Sequence, residues 1–364
     1  MGLVSAISGD APGIRRARSG SIRLIVVDDS VTARTVFSRV IEREPDFELV
    51  AQARSAEEAL VLLDTVKADV ILLDLEMPGM GGLNALPRLL EKGAGAQVMV
   101  VSSLTQEGAE PTVKALTLGA ADTLPKPQSG GFDQDYRALL VTKIRALGFA
   151  APSRPVPAPR QPEVPVLRKP SRQQAQVLAI GASTGGIHAL GQFFAGLPAR
   201  IGIPILVTQH LPASFMDAFA RQVALASGRE AFIAGERSLL VPDRILIAPG
   251  DGHVTVAEEG GRLVVRLNRV PASSGCMPSV DPMFTSLART LGAQVVGVVL
   301  SGMGRDGTEG ARQVVEAGGT ILAQDEASCA VWGMPGAVSL AGLASSILPP
   351  AELALRVAAS ARVA

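Results

Sequence analysis

The sequence predicts two α/β domains in tandem, each a doubly wound parallel sheet with helices on both faces, joined by a proline-rich segment. Three observations predict it. Short apolar runs of the buried-strand type alternate with stretches of helical periodicity, first from Ile22 and again from Gln176. Several of these runs end directly on a polar or glycine residue, as at Asp28, Asp74, Ser102, Gly181 and Ser301. The chain's 364 residues exceed one ordinary domain and suit two.

Arg23–Val27 reads as the first strand, ending in Asp28-Asp29, and the helix after it carries Ala33, Val36, Phe37, Val40 and Ile41 on one face. Glu48–Ala51 is a short second strand. Ser55-Ala-Glu-Glu58 is a capping box, in which serine and glutamate satisfy free N–H groups at the start of a helix with Ala59, Leu60 and Leu63 inward. Val70–Leu73 is the third strand and ends in Asp74, 83–92 is helical, and Gln97–Val101 ends at Ser102. Glu110–Leu118 is helical, a strand around Ala121–Leu124 runs into Lys126-Pro127, and a last helix covers about Asp133 to Leu147. This bounds a first domain at 21–147 with five parallel strands. Residues 1–20 are expected to be a loose, slightly basic, disordered extension.

Residues 148–175 contain Ala151-Pro-Ser-Arg-Pro-Val-Pro-Ala-Pro159, then Pro162, Pro165 and Pro170. So much proline without apolar periodicity cannot build a core, and an extended linker is expected. From 176 to 364 the alternation resumes. Strands are expected at 177–180, 204–208, 245–248, 295–300 and 320–323. Helices are expected at 186–196, 214–226, 281–291, 307–317 and about 351–362. Val254–Val256 and Leu263–Leu267 should pair as a hairpin across Glu258-Glu-Gly-Gly261.

Composition narrows the function classes. Lys+Arg and Asp+Glu balance at 34 each, which argues against nucleic acid or an anionic membrane held by bulk charge. No apolar run approaches the roughly 20 residues that span a bilayer, and residues 1–20 lack the apolar stretch of a signal peptide. Cys276 and Cys329 show neither metal nor redox spacing, as suits a reducing compartment. A cytoplasmic protein without membrane insertion is expected.

Open parallel sheets hold their functional groups at the carboxyl ends of the strands. In the first domain Asp28, Asp29, Asp74, Ser102 and Lys126 all fall there. Three carboxylates together repel unless a hard cation such as Mg²⁺ sits among them, and a lysine and a hydroxyl beside it complete a phosphoryl pocket. Taken singly, Asp29 or Ser30 could cap a helix and Lys126 could be a solvated charge; five on one edge fit that poorly. Residues 22–147 resemble the receiver domain of two-component response regulators. The resemblance implies a flavodoxin-like fold, Asp74 as phospho-acceptor, and Asp28, Asp29, Asp74 and the Glu76 carbonyl as Mg²⁺ ligands. It also implies Ser102 as switch hydroxyl, Lys126 as phosphate contact, and a cis Lys126–Pro127 bond. Receivers usually carry an aromatic three residues before that lysine, where this chain has Thr123.

In the second domain, strand Val177–Ile180 breaks into Gly181-Ala-Ser-Thr-Gly185 before a helix with Ile187, Leu190, Phe193, Phe194 and Leu197 recurring. In that context G-x-S-x-G lifts a serine clear of the sheet beside free helix N–H groups, although a phosphate cradle or a plain turn uses the same glycines. Ser183 then needs a base. His210 follows a strand on the same edge, His253 lies in a loop, and His188 is on the helix after Ser183. Asp306, in Ser301-Gly-Met-Gly-Arg-Asp-Gly307, is the natural orienting carboxylate; it could equally begin a capping box, and Asp251, Asp281 and Asp325 compete. The backbone N–H of Thr184 is a candidate oxyanion donor.

Residues 176–348 resemble the catalytic domain of the chemotaxis response-regulator protein-glutamate methylesterase family. The matching strings are Ile180–Gly186, Gln209–Pro212, Ile247–Gly250, Pro278–Asp281, Ser301–Gly307, Ala323–Ala327 and Trp332–Pro335. The resemblance implies a Rossmann-like fold, Ser183 as nucleophile, His210 as base, Asp306 as its orienter and the Met303 N–H as a second oxyanion donor. Cys276-Met277 stand where the family more often has His-Arg. The activity implied is hydrolysis of glutamate γ-methyl esters, and deamidation of glutamines, on the cytoplasmic helices of methyl-accepting chemoreceptors. No cofactor is expected for that hydrolysis, and Mg²⁺ is expected for receiver phosphorylation. A histidine kinase would be the phosphodonor, and the receiver would cover the active site until Asp74 is phosphorylated. The competing readings are a receiver-controlled serine esterase outside chemotaxis and a non-catalytic, phospho-switched docking module.

Overall fold

The computed structural model describes residues 20–102, 106–126, 133–150 and 165–361. The extension, most of the proline-rich segment and Pro127, with the cis bond expected before it, lie outside the described residues.

The first domain alternates strictly: β1 (Ile22–Val27), α1 (Val31–Arg43), β2 (Phe47–Ala53), α2 (Ala56–Leu62), β3 (Val70–Asp74), α3 (Gly82–Lys92), β4 (Gln97–Ser102), α4 (Gln106–Leu118), β5 (Asp122–Pro125) and α5 (Gln134–Ala150). Local chemistry starts the early helices as the sequence suggests. Ser30 Oγ accepts from the Ala33 N–H, and Ser55 Oγ from the Glu58 N–H. The sheet order is β2-β1-β3-β4-β5 with every neighbour parallel. The chain runs outward from β1 to β2 and then crosses back to β3. The crevice at this reversal lies at the carboxyl ends of β1 and β3.

The second domain contains β6 (Val177–Ala182), α6 (Gly186–Gly196), β7 (Ile205–Gln209), α7 (Met216–Ser227), β8 (Ala231–Ile233) and β9 (Ile245–Ile247). Then come the hairpin β10 (His253–Glu259) and β11 (Arg262–Asn268), α8 (Val280–Leu291), β12 (Val295–Val299), α9 (Thr308–Glu316) and β13 (Thr320–Gln324). The domain closes with α10 (Met334–Leu340), β14 (Ser346–Leu348) and α11 (Pro350–Ala361). Seven parallel strands follow the order β14-β13-β12-β6-β7-β9-β8, and the antiparallel hairpin stands apart as its own sheet. Here the order reverses between β6 and β12.

Three elements escape sequence reading for one reason. The strands β8 and β14 are three-residue edge strands, partly exposed along their length and too short for a strand pattern to stand out in the sequence. The helix α10 is seven residues long, too short to display a periodicity. The helix α4 begins four residues before the expected Glu110 and carries Pro111 inside it. The end of the proline-rich segment is tied down as well. Arg168 N–H donates to Ala344 O at 2.9 Å, Ser171 N–H to Thr320 Oγ1 at 2.8 Å, and Ala175 is buried.

The two domains touch. One apolar cluster runs from Ile71 and Leu73 through Val113 and Leu116 of α4 to Ile187, Phe215 and Phe219 in the second domain. The helix α4 packs on α6 and α7. Val331 of the second domain completes the other face of the first domain's core.

Candidate active site

The strand β6 ends in the turn that holds Ser183. Gly185 is left-handed there (φ 75°), and a Cβ on it would stand 2.6 Å from Ser301 Oγ. Only glycine makes that turn without strain. The turn is braced from the neighbouring strand: Ser183 N–H donates to Ser301 O at 3.0 Å, and Ser301 Oγ donates to Thr184 O at 2.7 Å. Gly302 lets the loop after β12 come close, since a Cβ there would lie 2.9 Å from the Ser183 Cβ. Among the described residues, neither the Thr184 nor the Met303 N–H has a hydrogen-bond partner. Both are therefore available donors.

His210 follows β7, fixed by its N–H to Ala182 O at 3.0 Å, and lines one small cavity with Ser183. Its Nε2 meets Asp306 Oδ2 at 2.7 Å. Asp306 does not cap α9; Gly307 does, without a side-chain bond. Instead Asp306 accepts from Ser279 Oγ at 2.7 Å and from the Val280 N–H at 2.7 Å. Burial works against a charged His210 ring, but the Asp306 carboxylate and the Cys276 sulfur outweigh it and raise the pKa to about 9. Burial also opposes the Asp306 charge, yet the His210 ring, Ser279 and the Val280 N–H hold its carboxyl well below the usual range. No Ser183 Oγ–His210 hydrogen bond is formed in this arrangement among the described residues.

The competitors have other tasks. His253 is fully buried; its Nδ1 accepts the Ser279 N–H at 2.9 Å, which leaves Nε2–H to donate to Val270 O at 3.0 Å. It is a brace for the residue that braces Asp306. His188 is exposed and meets Thr117 O of the first domain at 3.1 Å. Asp251 pairs with Arg269, Asp325 accepts from Ser328, and Asp281 accepts the Gly310 N–H at 2.7 Å. Burial and the adjacent Asp306 charge push Asp281 up to about 6. Ser279 and Ser301 lie in strings shared with the resembled family and Cys276 at a departure from it, but nothing in the sequence gives them these bracing and electrostatic roles.

At the first domain's crevice, Asp28, Asp29 and Asp74 bring carboxylate oxygens within 4.8 Å of one another. Lys126 Nζ donates to Asp74 Oδ2 at 2.7 Å, and the Glu76 N–H to Asp74 Oδ1 at 2.9 Å. Burial lifts Asp74 to about 6 against those contacts, and it raises Asp28 as well. Asp28 Oδ2 is buried with no hydrogen-bond partner, an opening that a hard cation fits. Ser102 Oγ lies 3.3 Å from Thr123 Oγ1 and so touches the residue that replaces the usual aromatic.

The two crevices are linked across the domain contact. Thr123 N–H donates to Asp122 Oδ1 at 2.7 Å, and Thr184 Oγ1 donates to Asp122 Oδ2 at 2.6 Å. Lys143 holds the same carboxylate at 2.7 Å. Gly185 N–H donates to Ala121 O at 2.6 Å. The start of β5 thus lies on the serine turn and leaves little free space there. A cavity of about 620 Å³ opens elsewhere, beside Gln174, Pro204, Pro242 and Gln294 at the amino ends of the strands.

Comparison with known proteins identifies the relatives of both domains. Residues 178–357 match the CheB methylesterase family and residues 24–131 the response regulator receiver domain. A Caulobacter vibrioides protein-glutamate methylesterase/protein-glutamine glutaminase is 44% identical, over 94% of this chain and 99% of its own. A protein of the same description from Paramagnetospirillum magneticum is 41% identical over 92% of this chain and 94% of its own. The crystal structure of the Thermotoga maritima CheB methylesterase catalytic domain is similar over 51% of this chain and 98% of its own, with 31% identity and a TM-score of 0.50.

Proposed function

Because the chain belongs to the CheB methylesterase family and carries a receiver domain, we propose that it hydrolyses glutamate γ-methyl esters, and deamidates glutamines, on chemoreceptors under phosphorylation control. The observation that carries the reading is the 2.7 Å His210–Asp306 bond on the same edge as Ser183. Ser183 Oγ attacks the ester carbonyl while His210 takes its proton, and the Thr184 and Met303 N–H groups face the developing oxyanion. His210 returns the proton to the leaving oxygen and methanol departs. Water, deprotonated by the same ring, then cleaves the acyl-enzyme to glutamate and free serine. With a glutamine substrate, ammonia leaves in place of methanol.

One feature supports control by the receiver: its residues Ala121 and Asp122 bond to the serine turn itself. Phosphorylation of Asp74 would be relayed through Ser102 and Thr123 to Asp122, with the Thr123 hydroxyl standing in for the usual aromatic. Mg²⁺ would be held by Asp28, Asp29, Asp74 and the Glu76 carbonyl; when bound, it offsets the charge of the incoming phosphoryl group. The donor would be a histidine kinase.

The test is methanol release from methylated receptor membranes, with and without Mg²⁺ plus a small phosphodonor. Release that rises with the donor and vanishes in Ser183→Ala supports the reading. A wild type that releases none, from membranes that another esterase does demethylate, refutes it.

A further inference from the structure

Among the described residues, two groups bring three metal-ligating atoms within 4.8 Å of one another. One is the carboxylate cluster of the receiver. The other is His210, Cys276 and Asp306, which offers nitrogen, sulfur and oxygen. Mg²⁺ has little affinity for a thiolate, whereas Zn²⁺ takes Cys, His and carboxylate together. Tetrahedral Zn²⁺ sites hold their ligands at about 2.0–2.3 Å, which sets neighbouring donors roughly 3.5 Å apart. Donors already within 4.8 Å need only a small adjustment.

The surroundings suit an ion. Asp306 is oriented by Ser279 Oγ and the Val280 N–H, the kind of outer support that fixes a metal ligand. Ser279 is in turn held by His253. The Cys276 N–H donates to Ser274 Oγ at 3.3 Å, which sets the turn carrying the thiol. A cavity of about 350 Å³ opens against Cys276 and Asp306, beside the Met303–Arg305 loop. It offers an entry path and a fourth coordination position open to water.

We propose that His210, Cys276 and Asp306 bind Zn²⁺, and that binding halts ester hydrolysis. On binding, the thiol proton and any proton on the coordinating ring nitrogen leave to solvent. If the ion takes the nitrogen facing Asp306, the 2.7 Å orienting bond opens. If it takes the other nitrogen, the lone pair needed for the serine proton is occupied. The base is lost either way. The inhibition rests on the esterase reading above; the binding does not.

The test titrates the full-length chain with Zn²⁺ in excess Mg²⁺, which keeps the receiver's carboxylates occupied, and uses Co²⁺ as a coloured stand-in. The expected result is one ion per chain, a thiolate-to-cobalt charge-transfer band, and methanol release that falls in step and returns on chelation. Loss of a supporting partner costs roughly 10–100-fold in metal affinity, and Cys276→Ser, which loses a ligand, should cost at least that. This variant should also lose the band, and its methanol release, whatever its metal-free level, should not fall when Zn²⁺ is added, while Cys329→Ser should match the wild type. Binding unchanged in Cys276→Ser, or a wild type without the band, overturns the site. A band with undiminished methanol release overturns the inhibition alone. If the metal-free chain releases no methanol, the esterase reading fails, and the band still decides the site.

Discussion

The two sheet edges use one architectural device and reach opposite electrostatic states. Where the order reverses between β1 and β3, three acids crowd together, one oxygen of Asp28 has no partner, and Asp74 is lifted to about 6. Where it reverses between β6 and β12, Asp306 has three hydrogen-bond partners and its charge is held firmly on. The first edge is unbalanced until something positive arrives; the second is organised in advance to stabilise a positive ring. Topology decides where side chains meet, and the side chains decide whether that place takes something up or acts on it.

The comparison breaks most decisively at the organised edge. Ser183→Ala should cut methanol release by roughly 10⁶-fold, and Asp306→Asn by roughly 10⁴-fold, measured as kcat. A smaller loss in Ser183→Ala would mean that the edge is not the nucleophile's. At the unbalanced edge, Asp74→Asn should abolish stimulation by a phosphodonor while the chain still folds, checked by methanol release alongside circular dichroism. The joint between the edges is sharpened by Asp122→Ala. Losing a hydrogen bond to a charged group costs about 1.5–3 kcal/mol, so basal release without donor should rise about tenfold or more. No rise would remove Asp122 from the relay.

A gentler effect is expected from pH. The neutral ring is the base, and its fraction grows as pH climbs through the pKa. With chelator present, kcat/KM of the unphosphorylated chain should therefore keep increasing toward about pH 9 rather than levelling near the ordinary histidine value of 6.5. Asp306→Asn, where activity remains measurable, should move that limb to lower pH. The smallest effect belongs to the exposed Glu110–Arg221 pair between α4 and α7. Exposed pairs contribute about 0.2–1 kcal/mol, so Arg221→Ala should change basal release by less than about fivefold.

Sequence alone determined the two-domain α/β architecture, the serine turn and the acids of the receiver edge. Each is written in a few consecutive residues, because strand, turn and helix depend on near neighbours along the chain. His210 is legible as the favoured base, the residue after a strand on the right edge, with His253 and then His188 behind it by position. Asp306 was a candidate among four. Only the tertiary structure joined it to His210 across 96 residues, gave His253 and Ser279 their bracing roles, and set Cys276 beside the dyad. It also turned Thr123, which looked like a missing aromatic, into a link between Ser102 and the domain contact. Such pairings are fixed by how distant segments pack, and distance along a chain carries no record of that.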